Sequence, residues 1–201
     1  MSRVRSFNPN RVGALECRAW VTYYQRKWFA LLVASVGLVR AGFGMDWRRT
    51  LHGAWLVLRA NQLWAKEPVN DHGVQATQGG PDGARRCMER FYRLVAEASG
   101  EALDTTKAAA LEVEWWRAHR EAQRTPDTSW KEVVTALVDL YSFLYGADPA
   151  AVRPAAELRA EAMVVSDQWV ADGHHDGSAL IDRERALLVR SFAALLAAVH
   201  R

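Results

Sequence analysis

Helical spacing of the apolar residues is the feature that most constrains how this chain can fold. Apolar side chains recur three and four residues apart in a series of segments separated by capping residues and glycines. No segment of useful length alternates between apolar and polar residues as a half-buried strand would. We therefore predict an all-α fold, a single-domain bundle of about seven helices over residues 1–201.

Capping signals set the predicted helix boundaries. Asn8 and Pro9 are typical of a helix start, and we predict one long helix over residues 9–40 with a bend at Gly37. The stretch 67–83 is rich in proline and glycine, has no periodicity and is predicted to be an exposed loop. The other helices are predicted over residues 47–65, 84–98, 104–123, 129–146, 149–172 and from Ser178 to the C-terminus.

The segment from Asp104 to Gln123 carries an acid and a base on its apolar face. At about 100° per residue, Glu112 and His119 lie within roughly 20° of each other, on the same side as Trp115. A buried carboxylate or imidazole is costly unless it is paired or bound to a cation. This pair is therefore the best indication of a functional site.

Three more acids lie on apolar helix faces. They are Glu16, Asp167 and Glu184, whereas Glu89 and Asp139 share their faces with charged or polar residues and are predicted to be solvated. Inward-pointing carboxylates and imidazoles are how helical bundles hold iron or manganese ions. We predict a metal site for Fe or Mn made by Glu16, Glu112, His119, Asp167 and Glu184.

This site predicts an oxidoreductase that acts on a small molecule. Tyr23 is the predicted catalytic residue beside the metal, and Tyr92 is a further candidate for hydrogen bonds to the ligands. Two metal-free interpretations stay open. In one, the acids belong to a polar core network and pair with Arg159, Arg190 or Lys27. In the other, the carboxylates bind a cationic small molecule.

The spacing of seven residues between Glu112 and His119 resembles the Glu-to-His spacing on one helix of haem-oxygenase-like di-metal oxidases. That resemblance implies that both residues bind metal. The later helix with two more histidines is absent here, as is the paired Glu-x-x-His motif of ferritin-like proteins. The run from Asn8-Pro9 through Tyr23-Tyr24, Trp28, residues 115–120 and residues 189–192 is similar to an all-helical bacterial protein family of unknown function.

Positive charge is concentrated in the first third of the chain. Residues 1–66 carry eleven Lys and Arg against two acids, whereas residues 67–201 carry fifteen against twenty-one. Five of the nine tryptophans share the basic third: Trp20, Trp28, Trp47, Trp55 and Trp64. This combination suits a non-enzymatic interaction module, peripheral to an anionic membrane or bound to a partner. The interpretation that we favour from sequence instead packs this part against acidic helices, with its tryptophans in the core.

The remaining expectations concern location and partners. No signal peptide is evident, and residues 28–39 are apolar for about a dozen positions, short of the roughly 20 that cross a bilayer. We predict that they form a buried helix end. Cys17 and Cys87 lack the neighbours of a metal or disulfide motif, so a cytoplasmic location is expected. Nucleic acid is not an expected partner, because the arginines are spread over several helix faces.

Overall fold

The structure is a computed structural model that describes residues 6–65, 80–124 and 130–200. Over these residues the chain forms eight helices and no strands, which confirms the all-α prediction with one helix more than expected. The helices are α1 (Pro9–Tyr24), α2 (Trp28–Phe43), α3 (Trp47–Ala65), α4 (Gly80–Ser99), α5 (Thr105–Arg124), α6 (Lys131–Tyr145), α7 (Pro149–Ala171) and α8 (Ala179–Val199).

The predicted helix over residues 9–40 is in fact two helices, because the chain turns between α1 and α2. Arg26 has a φ of 56°, a left-handed conformation that interrupts a right-handed helix. The N–H of Lys27 donates to the carbonyl of Thr22 at 2.9 Å and closes the turn. No glycine or proline marks this position, so helix-breaking residues did not reveal it. Gly37, where the bend was predicted, lies inside an uninterrupted α2.

One boundary of the predicted loop over residues 67–83 is also wrong. Residues 80–83 form the first turn of α4, and residues 66–79 lie outside the described residues. The other predicted boundaries agree closely because local caps define them. The side chains of Asn8, Asp148 and Ser178 accept backbone N–H groups at the starts of α1, α7 and α8.

The helices follow one another around the bundle in chain order. Each packs against the next, and α8 returns to pack against α1 as well as α7. The main core lies among α3 to α7, with Tyr92, Trp116, Leu137 and Met163 among its buried residues. A smaller cluster, which includes Cys17, lies where α1, α7 and α8 meet. This closed order leaves α2 with α1 and α3 as its main packing partners.

The contact between α1 and α8 depends on Gly13. A Cβ atom at this position would lie 2.7 Å from the backbone nitrogen of Val189 and 2.8 Å from its Cα. Backbone atoms cannot yield unless the helices separate. We expect Gly13→Ala to lower the free energy of unfolding by roughly 1–3 kcal/mol, measured by urea denaturation.

Gly42 offers a matched control in α2, because a Cβ there would meet nothing within 4 Å. Gly42→Ala should leave the protein unchanged or stabilise it by up to about 1 kcal/mol through helix propensity. Equal denaturation midpoints for the two variants would contradict the close α1–α8 contact.

Candidate functional site

Arg159 of α7 lies in the middle of the predicted polar site. Its guanidinium donates to Glu16 Oε1 from Nη2 at 2.6 Å and from Nε at 3.1 Å. Nη1 donates to the Tyr141 hydroxyl at 3.1 Å, and the guanidinium carbon lies 4.8 Å from the centre of the Trp115 ring. Glu16 and Arg159 therefore form a buried ion pair, which is one of the pairings that the sequence predicted for a metal-free polar core.

Glu112 of α5 belongs to the same network. The Tyr92 hydroxyl donates to Glu112 Oε2 at 2.7 Å, and Trp115 Nε1 donates to Oε1 at 3.0 Å. Burial and the neighbouring charge of Glu112 raise the pKa of Tyr92 well above its usual value. The Tyr92 hydroxyl thus stays protonated as a donor. Trp115 connects Glu112 to the Glu16–Arg159 ion pair, because its N–H donates to Glu112 and its ring face contacts Arg159.

His119 and Asp167 form a separate, half-buried pair between α5 and α7. His119 Nε2 lies 3.5 Å from Asp167 Oδ2, and Gln123 donates to Asp167 Oδ1 at 2.7 Å. The imidazole packs against the rings of Trp115 and Trp130, with 6.5 Å and 5.6 Å between ring centres. His119 Nε2 is buried and makes no hydrogen bond to the described residues, so Asp167 lies beside it without satisfying it. The imidazole meets the Arg159 network only through its ring contact with Trp115.

Glu184 of α8 is fully buried, and neither of its carboxyl oxygens has a hydrogen-bond partner of good geometry among the described residues. Its polar neighbours are Cys17 and Ser166. Burial raises the pKa of Glu184 to about 8, so the carboxyl is protonated at neutral pH. Burial and the charge of Glu184 raise the pKa of the Cys17 thiol to about 12. At neutral pH both Glu184 and Cys17 are therefore uncharged.

The structure does not bring the five predicted ligands to one point. In the part of the chain that it describes, no group of three or more His, Cys, Asp or Glu side chains is arranged to hold a metal ion. The guanidinium of Arg159 already supplies positive charge beside Glu16 and in the field of Glu112. This donor set does not fit one shared iron or manganese centre. Metal binding stays a prediction.

The predicted catalytic Tyr23 lies at the exposed end of α1, with 43% of its surface accessible. Its ring packs edge-to-face on Tyr24, with 5.4 Å between ring centres. It does not line the buried network, and its catalytic role stays a prediction. Sequence reasoning missed Tyr141 and Ser166, because an aromatic ring or a small hydroxyl on an apolar face looks like ordinary core.

A second feature lies on the outer surface of α2 and α3. Within the described ranges, all eight large apolar side chains with high exposure fall between residues 23 and 55. Seven of them form what we call the aromatic face: Trp28, Phe29, Leu32 and Val33 of α2, and Trp47, Leu51 and Trp55 of α3. Phe29 is the most exposed, at 80%.

The aromatic face corrects two expectations from the sequence. The first turns of the apolar stretch 28–39 are exposed rather than buried, and Trp28, Trp47 and Trp55 are on the surface rather than in the core. The reason is tertiary. α2 packs mainly against α1 and α3, and none of the other described helices packs closely enough to cover the outer side of its first two turns.

Arg40 joins the two halves of the aromatic face. At 100° per residue, Arg40 lies on the side of α2 that carries Phe29 and Val33. Its guanidinium stacks over the ring of Trp47 at 4.1 Å from the ring centre. Arg40 therefore links the side of α2 that carries Phe29 and Val33 to Trp47 at the start of α3.

Basic side chains border the aromatic face. Arg26 and Lys27 directly precede it, and Arg48, His52 and Arg59 run beside its stripe on α3. Neither Arg26 nor Arg48 has a carboxylate partner among the described residues, and both are exposed. Residues 6–65 contain only two acids, one of them buried and the other, Asp46, paired with Arg49. Lys27 pairs with Asp176 of the turn before α8, whereas the exposed Arg26 and Arg48 leave the border net cationic.

Length and hydropathy exclude a single membrane-crossing helix among the described residues. Together α2 and α3 meet the criteria for a broken span, but the chain changes direction by 119° between them.

Similarity to known proteins does not identify the fold or the site. No protein-family model matches the chain, and no curated protein or solved structure is significantly similar to it. The resemblances stated from the sequence therefore stay predictions. A functional assignment depends on the geometry of the two features above.

Removal of the Arg159 side chain tests the buried network. Arg159→Met leaves Glu16 buried without its counter-charge, so we expect the free energy of unfolding to fall by roughly 3–5 kcal/mol. The double variant Glu16→Gln/Arg159→Met should recover much of this loss. Arg183→Met, which breaks an exposed ion pair with Glu161, should cost less than about 1 kcal/mol. Equal costs for the two arginines in urea denaturation would contradict the network.

The raised pKa of Glu184 makes the stability depend on pH. The unfolded chain releases this proton near pH 4.5, whereas the folded protein holds it up to about pH 8. Stability from this group is therefore complete below about pH 4.5 and declines as the pH rises to about 8. Glu184→Gln has the size of the protonated carboxyl but cannot ionise, so it should remove this decline in stability with rising pH. Parallel pH profiles of unfolding free energy for wild type and variant would show that Glu184 does not hold the proton.

Proposed function

We propose that this protein binds the surface of anionic membranes through the aromatic face, as a peripheral and non-enzymatic module. The observation that carries the proposal is the concentration of the large exposed apolar side chains on two adjoining helices with a cationic border. The proposal is one of the alternatives that the sequence left open.

The apolar part of the face supports insertion into the interfacial layer of a bilayer. Contiguous exposed apolar surface is uncommon on monomeric soluble proteins and marks sites of association. Tryptophan is enriched at the membrane interface, where its ring meets lipid and its N–H meets water. Trp28, Trp47 and Trp55 are each more than half exposed. Complete transfer of a side chain such as Phe29 from water is favourable by roughly 1.5–3 kcal/mol.

The charged part of the face supports selection of anionic lipid. Each Lys or Arg near such a surface contributes about 1 kcal/mol. Arg26 and Arg48 are exposed and have no carboxylate partner within the described ranges, so no ion pair among these residues must break before they bind a headgroup. Residues 67–201 carry more acids than bases, so an anionic surface attracts that part of the chain less than the basic first third.

The cationic border also argues against a second copy of this chain as the occupant. A symmetric dimer through the aromatic face would place the same arginines of both copies close together. Like charges brought together at an interface are unfavourable. An anionic bilayer complements both the apolar centre and the border.

Vesicle binding tests the proposal. We expect the protein to bind phosphatidylcholine vesicles that contain phosphatidylserine, more weakly as salt is added. Phe29→Ala should lower the affinity about tenfold, because it deletes the most exposed ring of the face. The measurement is cosedimentation with vesicles, together with tryptophan fluorescence.

Phe143→Ala is the matched control. Phe143 is partly buried on α6, so the variant makes the same deletion away from the aromatic face. It should bind vesicles like wild type, provided that both variants keep a native circular dichroism spectrum. Absence of binding to every anionic vesicle contradicts the proposal, as do equal losses for the two variants. Self-association that Phe29→Ala abolishes would instead assign the face to a second copy.

A further inference from the structure

The turn between α7 and α8 contacts the turn between α1 and α2 beside the aromatic face. Gln25 Nε2 donates to Asp176 Oδ1 at 2.7 Å and to the carbonyl of His174 at 3.4 Å. Lys27 Nζ lies 3.2 Å from Asp176 Oδ2 and 3.3 Å from Oδ1. Since Trp28 follows Lys27 directly, the carboxylate of Asp176 lies at the edge of the aromatic face.

The backbone of both turns is held in an unusual conformation. Among the described residues, Arg26 and His174 are the two with a positive φ that are not glycine, at 56° and 47°. Such conformations persist where the surroundings determine them. One lies in each of the turns that Gln25 joins, so the position of Asp176 beside Lys27 is built into the fold.

The contact between Asp176 and Lys27 is also open to exchange. Both side chains are mostly exposed, at 76% and 51%, and exposed ion pairs are weak. Hydrogen bonds from Gln25 and Lys27 lower the pKa of Asp176 below its usual value, which keeps it ionised. A lipid phosphate can therefore replace Asp176 as the partner of Lys27, but it must approach an anion to do so.

We infer that Asp176 is a specificity-determining residue that restricts the aromatic face to strongly anionic membranes. The Asp176 carboxylate pairs with Lys27 and repels anionic headgroups. A weakly charged membrane therefore gains too little attraction to replace Asp176 as the partner of Lys27. Discrimination by a repulsive group of this kind is a general route to specificity. The inference rests on the proposed function, because it concerns the same face.

Removal of the Asp176 charge tests the inference. Asp176→Asn keeps an oxygen that accepts from Gln25 but removes the negative charge that neutralises Lys27. We expect about fivefold tighter binding to vesicles of low phosphatidylserine content, the effect of one charge near an anionic surface. Half-maximal binding should also shift to a lower fraction of phosphatidylserine in phosphatidylcholine.

Glu161→Gln is the matched control. It changes the net charge equally and breaks an exposed ion pair of similar length, between Glu161 and Arg183, on α7 and α8. Its vesicle affinity should equal that of wild type. Equal affinities of Asp176→Asn and Glu161→Gln would overturn the inference, and so would weaker binding by Asp176→Asn.

A double-mutant cycle separates local exchange from general charge. Lys27→Gln should reduce vesicle affinity more in the Asp176→Asn background than in wild type, because only in that background does Lys27 lack a neighbouring negative charge. Equal reductions would overturn the inference while wild-type binding still supported the proposed function. Failure of wild type to bind any anionic vesicle would instead contradict the proposed function itself.

Discussion

The buried ion pair between Arg159 and Glu16 is the interaction on which the arrangement of the bundle depends. Arg159 of α7 reaches Glu16 of α1, Tyr141 of α6 and Trp115 of α5. Trp115 continues the network through Glu112 to α4. A buried pair adds little net stability, but loss of one partner is costly. The network therefore penalises any register of these five helices that separates the guanidinium from its carboxylate.

The charged groups of the interior are neutralised, whereas some of those on the surface are not. Inside, Glu16 is paired and Glu184 is protonated, so both acids can be buried. Outside, Arg26 and Arg48 are exposed without a carboxylate partner among the described residues, and they border exposed aromatic rings. The buried ion pair therefore helps to hold the helices together, whereas the exposed cations and aromatic rings that favour binding lie at the aromatic face.

Helical periodicity predicted which way polar side chains point better than it predicted what they meet. It placed Glu16 and Glu184 inside, and both are buried; Glu112, His119 and Asp167 are half-buried. A helical wheel gives direction around one axis but no distance between helices. The wheel therefore could not show whether the five polar side chains bind one shared metal ion or each pair with a different residue. Arg159 was only one of several possible partners until the packing of α1 against its neighbours brought Glu16 within reach.

The sequence by itself determined the all-α class and most helix boundaries, because periodicity, caps and glycines act over a few residues. It also determined the basic, Trp-rich character of the first third. Only the tertiary structure decided that the chain turns at Arg26 and that Trp28 and Phe29 face outward. Exposure depends on which helices cover a surface. That covering is set by contacts between residues far apart in the chain, such as those that close α8 onto α1.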